Sequence, residues 1–243
     1  MRAILTYHSI DDSGSPISIS RAAFARHLEW FASGRVPVVS LPDLLTRPGH
    51  DAAIALTFDD ALRTVDTEAL PRLHELGLPA TIFVPTGHVG RDNRWGGHTA
   101  DGIPVLPLMT WEGLGRAAER GITIGAHTRL HSRLTAIRGT DLADEIVGSQ
   151  EEIRRELGIT ATQFAYPYGG HDAAVRSATA RHYSHAVTTE LRPLSPGADL
   201  LALPRLDAWY LQNSRWFDRW GSTALQGFLG VRRLGRTVRA VLT

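Results

Sequence analysis

Residues 53–61 read Ala-Ile-Ala-Leu-Thr-Phe-Asp-Asp-Ala (AIALTFDDA), and the reading of this stretch decides the fold. An uninterrupted apolar and β-branched run ends in two adjacent carboxylates. Such a run is the pattern of a strand buried on both faces, which occurs in parallel sheets covered by helices. Asp59 and Asp60 then stand at the strand's C-terminal end, where folds of this class collect functional groups. Burying an unpaired charge costs several kcal/mol, so two side by side require a partner. Either the pair lies harmlessly at a surface turn, or something positive is held there.

Runs of the same kind recur on both sides. AILTY (3–7), VPVVS (36–40), ATIFV (80–84), ITIGA (122–126), TQFAY (162–166), SHAVTT (184–189) and LLALPRL (200–206) predict strands. Amphipathic segments lie between them. Ser20 caps one with a Phe24, Leu28 and Phe31 stripe, Thr110 precedes a second, and Thr140 opens a third that runs to Leu157. Strand, helix, strand at this spacing predicts a single α/β domain with a parallel sheet, open or closed into a barrel. The insertion at 85–107 is too rich in Gly and Pro for regular structure, and loops of that length are usually functional or mobile.

Residues 213–243 differ from the domain expected over 1–212, with six arginines against one acid, Asp218. Trp220, Ala224, Phe228, Val231, Leu234, Val238 and Leu242 follow helical spacing, with Arg232, Arg236 and Arg239 on another face. Two readings stand: a terminal helix packed on its own domain, or a basic amphipathic helix lying on anionic lipid or a partner enzyme.

Composition removes several function classes. With no cysteine there is no disulfide, thiolate metal site or cysteine nucleophile, and with no lysine there is no Schiff-base chemistry. A net charge of +1 argues against a dedicated nucleic-acid binder. The N-terminus lacks a signal-peptide core and no run approaches a membrane span, so the expected compartment is the cytoplasm.

Two further motifs carry chemistry. In GAHTRLH, His127 follows a predicted strand and His131 lies four residues on, a spacing that lets two imidazoles on one helical turn share a metal. Two imidazoles and one carboxylate hold a divalent ion with open positions, leaving the neighbouring aspartate free for acid–base work. In Tyr166-Pro167-Tyr168-Gly169-Gly170 a proline and two glycines make a turn whose backbone N–H groups could face a ligand. An ordinary strand-to-helix turn reads the same way.

Together LTFDD (56–60), LPATIFV (78–84), LMTWEGL (108–114), IGAHTRLHSRLT (124–135), FAYPYGGHD (164–172) and LPRL (203–206) resemble the polysaccharide deacetylases with a NodB-type homology domain. The resemblance implies a distorted (β/α)7-type barrel and metal-dependent removal of N-acetyl groups from an amino-sugar-containing glycan or glycan precursor. It implies Asp59 as general base, Asp60, His127 and His131 as metal ligands, and the Tyr168 backbone N–H at the oxyanion. Trp111 would line the cleft beside Tyr168, a core tryptophan being the alternative. Zinc is the expected ion, with cobalt or nickel as substitutes.

The sequence departs from that family in three places. Ala61 stands where glycine is usual after the paired aspartates. Ala165 stands where many members carry an arginine paired with the base, and Arg205 is the candidate replacement, with a surface ion pair as the other reading. No histidine follows His185 in the region that commonly supplies the general acid. A circularly rearranged branch uses an early Tyr-His motif instead, which LTYHSI (5–10) resembles, making His8 the expected acid with Asp11, Asp12 or Asp207 as its partner. His27, His50, His74 and His182 are expected at or near the surface, and His98 outside the site. Other outcomes are an amidohydrolase of small cyclic imides, ureides or formamides, and a non-catalytic glycan-binding module.

Overall fold

The computed structural model describes residues 1–242, with side chains to Gly235. In chain order the strands are β1 (Arg2–Tyr7), β2 (Ser9–Ile10), β3 (Ser18–Ile19), β4 (Ala53–Phe58), β5 (Ala80–Val84), β6 (Thr123–Ala126), β7 (Gln163–Ala165), β8 (His185–Val187) and β9 (Leu206–Asp207). The helices are α1 (Arg21–Ala32), α2 (Leu41–Thr46), α3 (Leu70–Glu75), α4 (Trp111–Glu119), α5 (Gly139–Ala143), α6 (Ser149–Leu157), α7 (Ala173–Ala180), α8 (Arg215–Asp218) and α9 (Thr223–Leu242). All six residues of β4 are buried, as the doubly covered run requires.

Among the described residues the main sheet has seven strands in the order β8-β7-β6-β5-β4-β1-β9, and every neighbouring pair is parallel. Parallel pairing brings the C-terminal ends to one rim. The β1–β4 register runs from Arg2↔Ala53 to Tyr7↔Phe58, and Asp59 N–H donates to the Tyr7 carbonyl at 2.9 Å. His8 and Asp59 therefore leave the sheet side by side.

Residues 200–207 join the two edges and curl the sheet into a distorted barrel. Leu203 bridges Val187 of β8, whereas Leu206 and Asp207 pair with Leu5 and Thr6 of β1. The predicted strand at 200–206 is thus split, because Pro204 has no N–H to offer a ladder. Arg205 follows the break and is 1% exposed. The predicted strand at 36–40 is likewise reduced to a bridge at Val38. β5 begins only opposite Leu56, and Val38 takes the ladder position beside Ile54.

Local chemistry places the helices. Ser20 and Thr110 accept hydrogen bonds from Ala23 N–H and Gly113 N–H at the starts of α1 and α4. Thr140 lies inside the first turn of α5 rather than capping it. From Gly139 the chain stays helical to Leu157, through a π-helical turn over Asp144–Gly148.

His27 corrects a second expectation, since it is fully buried instead of at the surface. Its ring is held between the Tyr7 hydroxyl (3.1 Å) and the Leu211 carbonyl (3.0 Å). Burial pushes its pKa down to about 4. An unfolded chain therefore binds a proton that the folded one refuses as pH falls from about 6.5 to 4, so stability is lost across that window. Urea titrations of wild type and His27→Gln at pH 7 and pH 4.5 should differ in their pH dependence by up to about 3 kcal/mol, the variant being flatter. Parallel curves would remove His27 as the cause.

The C-terminal segment begins in the main core. Phe217 contacts His27, Trp30 and Trp220, Trp216 stacks on Phe228 at 4.2 Å, and Leu225 and Leu229 are buried. On the outer side of α9, Val231 and Leu234 are 69% and 65% exposed. The positions Arg236, Val238, Arg239 and Leu242 lie outside the described side chains.

Candidate active site

β1, β4, β6 and β7 bring His8, Asp59, Asp60, His127, His131, Tyr166 and Tyr168 to one rim cavity of about 380 Å³. That volume lies in the usual range for small-molecule sites. The centre is the pair of aspartates that follows β4.

Asp59 is gripped by Arg205, whose two terminal nitrogens donate to the two carboxylate oxygens at 2.7 and 2.6 Å. Arg205 also donates to Thr57 Oγ1 (3.1 Å) and the Thr188 carbonyl (2.9 Å), so the fork is fixed as well as charged. Burial pushes the Asp59 carboxyl up, and the Arg205 charge overcomes this and holds it below the ordinary range. Ala165, expected to leave a cation missing, lies in β7, and Arg205, just before β9, supplies the cation at Asp59. His8 Nε2 lies 3.9 Å from Asp59 Oδ2. Asp59 is thus one carboxylate near His8, and of the expected partners Asp11 accepts from Ser9, Ser13 and Ser18 while Asp12 pairs with Arg21.

Asp60 points the other way. Its Oδ1 is 3.3 Å from His131 Nε2 and 3.5 Å from His127 Nε2, is fully buried and has no hydrogen-bond partner. The second nitrogens are occupied: His127 Nδ1–H donates to the Ala165 carbonyl at 2.7 Å, and His131 Nδ1 meets the Tyr168 hydroxyl at 3.2 Å. Both rings thus present Nε2 to Asp60, with the outer support that metal-binding imidazoles need. Burial pushes the His127 pKa down to about 4, keeping the ring neutral. The Asp60, His127 and His131 ligand atoms lie within 4.8 Å of one another, and a buried carboxylate oxygen with no partner fits a divalent cation.

The backbone around this centre is unusual. Asp60 (φ 67°), Ala61 (φ 50°), Thr128 (φ 65°), His131 (φ 58°) and Tyr168 (φ 59°) are the non-glycine residues with left-handed backbone among the described residues, and all lie in the three motifs. Such conformations cost on the order of 1–3 kcal/mol each and persist only where the surroundings enforce them. Ala61 thus stands in a conformation that favours glycine. The histidine spacing also works differently from the expected helical turn, because residues 127–131 form an irregular loop.

Several expected and unexpected residues differ in placement. Trp111 packs against the main core at the start of α4 and does not line the cavity. The aromatic wall comes instead from the insertion, where Trp95 stacks on His131 at 4.4 Å with 21° between the rings. His98 lines the cavity too, with Asn93 and Ile103 of the same insertion. Asn93 ties that loop together, donating to the Pro104 carbonyl (3.0 Å) and accepting from Leu106 N–H (2.8 Å). Arg133 lies over the Tyr168 ring at 4.2 Å. The one signal for Trp95 was a tryptophan inside a Gly-rich insertion.

Comparison with known proteins finds relatives that share this fold. A sequence model of the polysaccharide deacetylase family matches residues 46–187. A poly-β-1,6-N-acetyl-D-glucosamine N-deacetylase of Staphylococcus aureus is 23% identical over 211 residues, covering 82% of this chain and 72% of the relative. The deacetylase PplD of Streptococcus pyogenes superposes with a TM-score of 0.71 at 22% identity, over 85% of this chain and 91% of PplD. IcaB from Ammonifex degensii gives 0.71 at 24% identity, over 88% and 96%. At these identities the two structures show a shared fold.

Proposed function

The chain belongs to the polysaccharide deacetylase family, and from that premise we propose that its rim cavity hydrolyses the N-acetyl group of an amino sugar within a glycan or glycan precursor. The observation that carries the reading is the buried, unpartnered Asp60 oxygen facing two imidazoles, next to a second aspartate locked by Arg205. Asp60, His127 and His131 would hold the divalent ion, and their one-oxygen, two-nitrogen set suits zinc, cobalt or nickel. When bound, such an ion polarises the amide carbonyl and makes water acidic enough to react near neutral pH.

The chain's own groups supply the proton transfers. Asp59 accepts the proton of the attacking water, and Arg205 keeps it ionised and fixes both oxygens. The Tyr168 N–H, at a turn with left-handed backbone, is assigned to the oxygen that becomes negative as the carbonyl carbon turns tetrahedral. As the C–N bond breaks its electron pair stays on nitrogen, which must be protonated to leave. His8, in the cavity with Asp59, is the assigned donor, so water and the amide give acetate and a free amine. Trp95 offers an apolar face to the sugar, where a ring C–H surface can pack.

The test is acetate release from N-acetylglucosamine oligomers and small cyclic amides, after metal stripping and reloading with zinc, cobalt or nickel. Release from the sugars alone, restored by metal and cut about 10²-fold or more by His8→Gln, is the expected result. Turnover of the cyclic amides alone would replace the carbohydrate reading with the small-molecule one.

A further inference from the structure

The loop between the two histidines is held by a residue that no motif includes. Glu145 lies in the π-helical turn between α5 and α6 and is 5% exposed. Its Oε2 accepts from Arg129 N–H at 2.9 Å and Leu130 N–H at 3.0 Å, and its Oε1 accepts from Ser132 Oγ at 2.9 Å. Three donors within residues 129–132 thus converge on one carboxylate.

This convergence answers a specific difficulty. Thr128 and His131 both adopt left-handed backbone, so the loop cannot satisfy its own amides as a helical turn would. A carboxylate with two oxygens is the acceptor that matches two adjacent N–H groups and a hydroxyl. The neighbouring acids restrain the side chain of the same loop: Asp144 pairs with Arg129, and Glu152 accepts from Arg129 Nε at 3.0 Å. A π turn widens the helix by one residue, and such turns recur at functional sites. Asp144 and Glu145, adjacent in this turn, both reach the loop.

We propose that Glu145 is a positioning residue for the metal centre, holding the 128–132 loop so that His131 Nε2 faces Asp60. The proposal rests on the metal-dependent reading above. It assigns Glu145 no contact with substrate and no proton to move.

Zinc affinity, measured by competition with a chromophoric chelator on metal-stripped protein, tests it in three variants. Glu145→Ala removes all three bonds, and Glu145→Asp keeps the charge but draws the carboxylate back. Both should weaken zinc binding about 10–100-fold, the usual effect of losing outer support for a ligand. Glu145→Gln, which keeps an oxygen at the same reach, should recover most of the affinity. The cobalt absorption spectrum should shift in the Ala and Asp variants and return toward wild type in Gln. If Glu145→Ala does not fold, the Asp and Gln variants decide the question. Affinity unchanged in Glu145→Asp, or Glu145→Gln binding no better than the shortened variants, would overturn the proposal, whatever happens to the melting temperature. A wild-type chain that takes up no zinc would instead overturn the metal-dependent reading, and the role of Glu145 with it.

Discussion

Asp60→Asn, His127→Ala and His131→Ala should each reduce acetate release to the background of metal-stripped protein. Two of the three donors cannot hold the ion in an open site. The loss should be nearly complete in every case, since ion and hydroxide chemistry vanish together. The fold should survive. The three groups sit at the rim, beyond the last residues of β4 and β6, so their loss leaves the sheet and its core contacts in place. Circular dichroism beside the acetate assay checks both halves. Activity above background in any of the three would break the assignment of ligands.

Asp59→Asn should keep the ion and lose about 10²–10⁴-fold in kcat, the usual worth of a positioned base. The asparagine oxygen retains one acceptor for Arg205, but the guanidinium stays buried without its counter-charge. Breaking such a pair costs about 3–5 kcal/mol, so kinetics belong well below the melting point. Arg205→Met attacks the same base from the other side. Without the guanidinium, burial is left to push the Asp59 carboxyl up, and the acidic limb of the pH–rate profile should move to higher pH. A limb that stays in place would mean that Arg205 supports the barrel closure without tuning the base.

Much of this was legible in the residues, and the reason differs from place to place. AIALTFDDA is read as a strand over 53–58, and β4 occupies those same residues, because an apolar and β-branched run of this length fits a strand covered on both faces. His127 and His131 were visible through their spacing, although the backbone that joins them is left-handed and irregular rather than helical. Arg205 was found as a compensation for Ala165, and its bidentate grip on Asp59 depends on a stave split by Pro204, which no periodicity announces. Trp95 and His98 were missed because a Gly-rich insertion carries no pattern that says which side chains turn inward. Glu145 was missed for a different reason. Its partners lie 13 to 16 residues away in sequence, and a π turn shifts the helical phase by which its inward face would have been recognised.

The account's central claim is a division of labour between neighbours: Asp60 holds the ion and Asp59 works as base. Elemental analysis of Asp59→Asn and Asp60→Asn, purified in parallel from zinc-supplemented medium, tests it most directly. The predicted result is a stoichiometric ion in Asp59→Asn and none in Asp60→Asn. An ion retained by Asp60→Asn and lost from Asp59→Asn would contradict the claim and reverse the two roles.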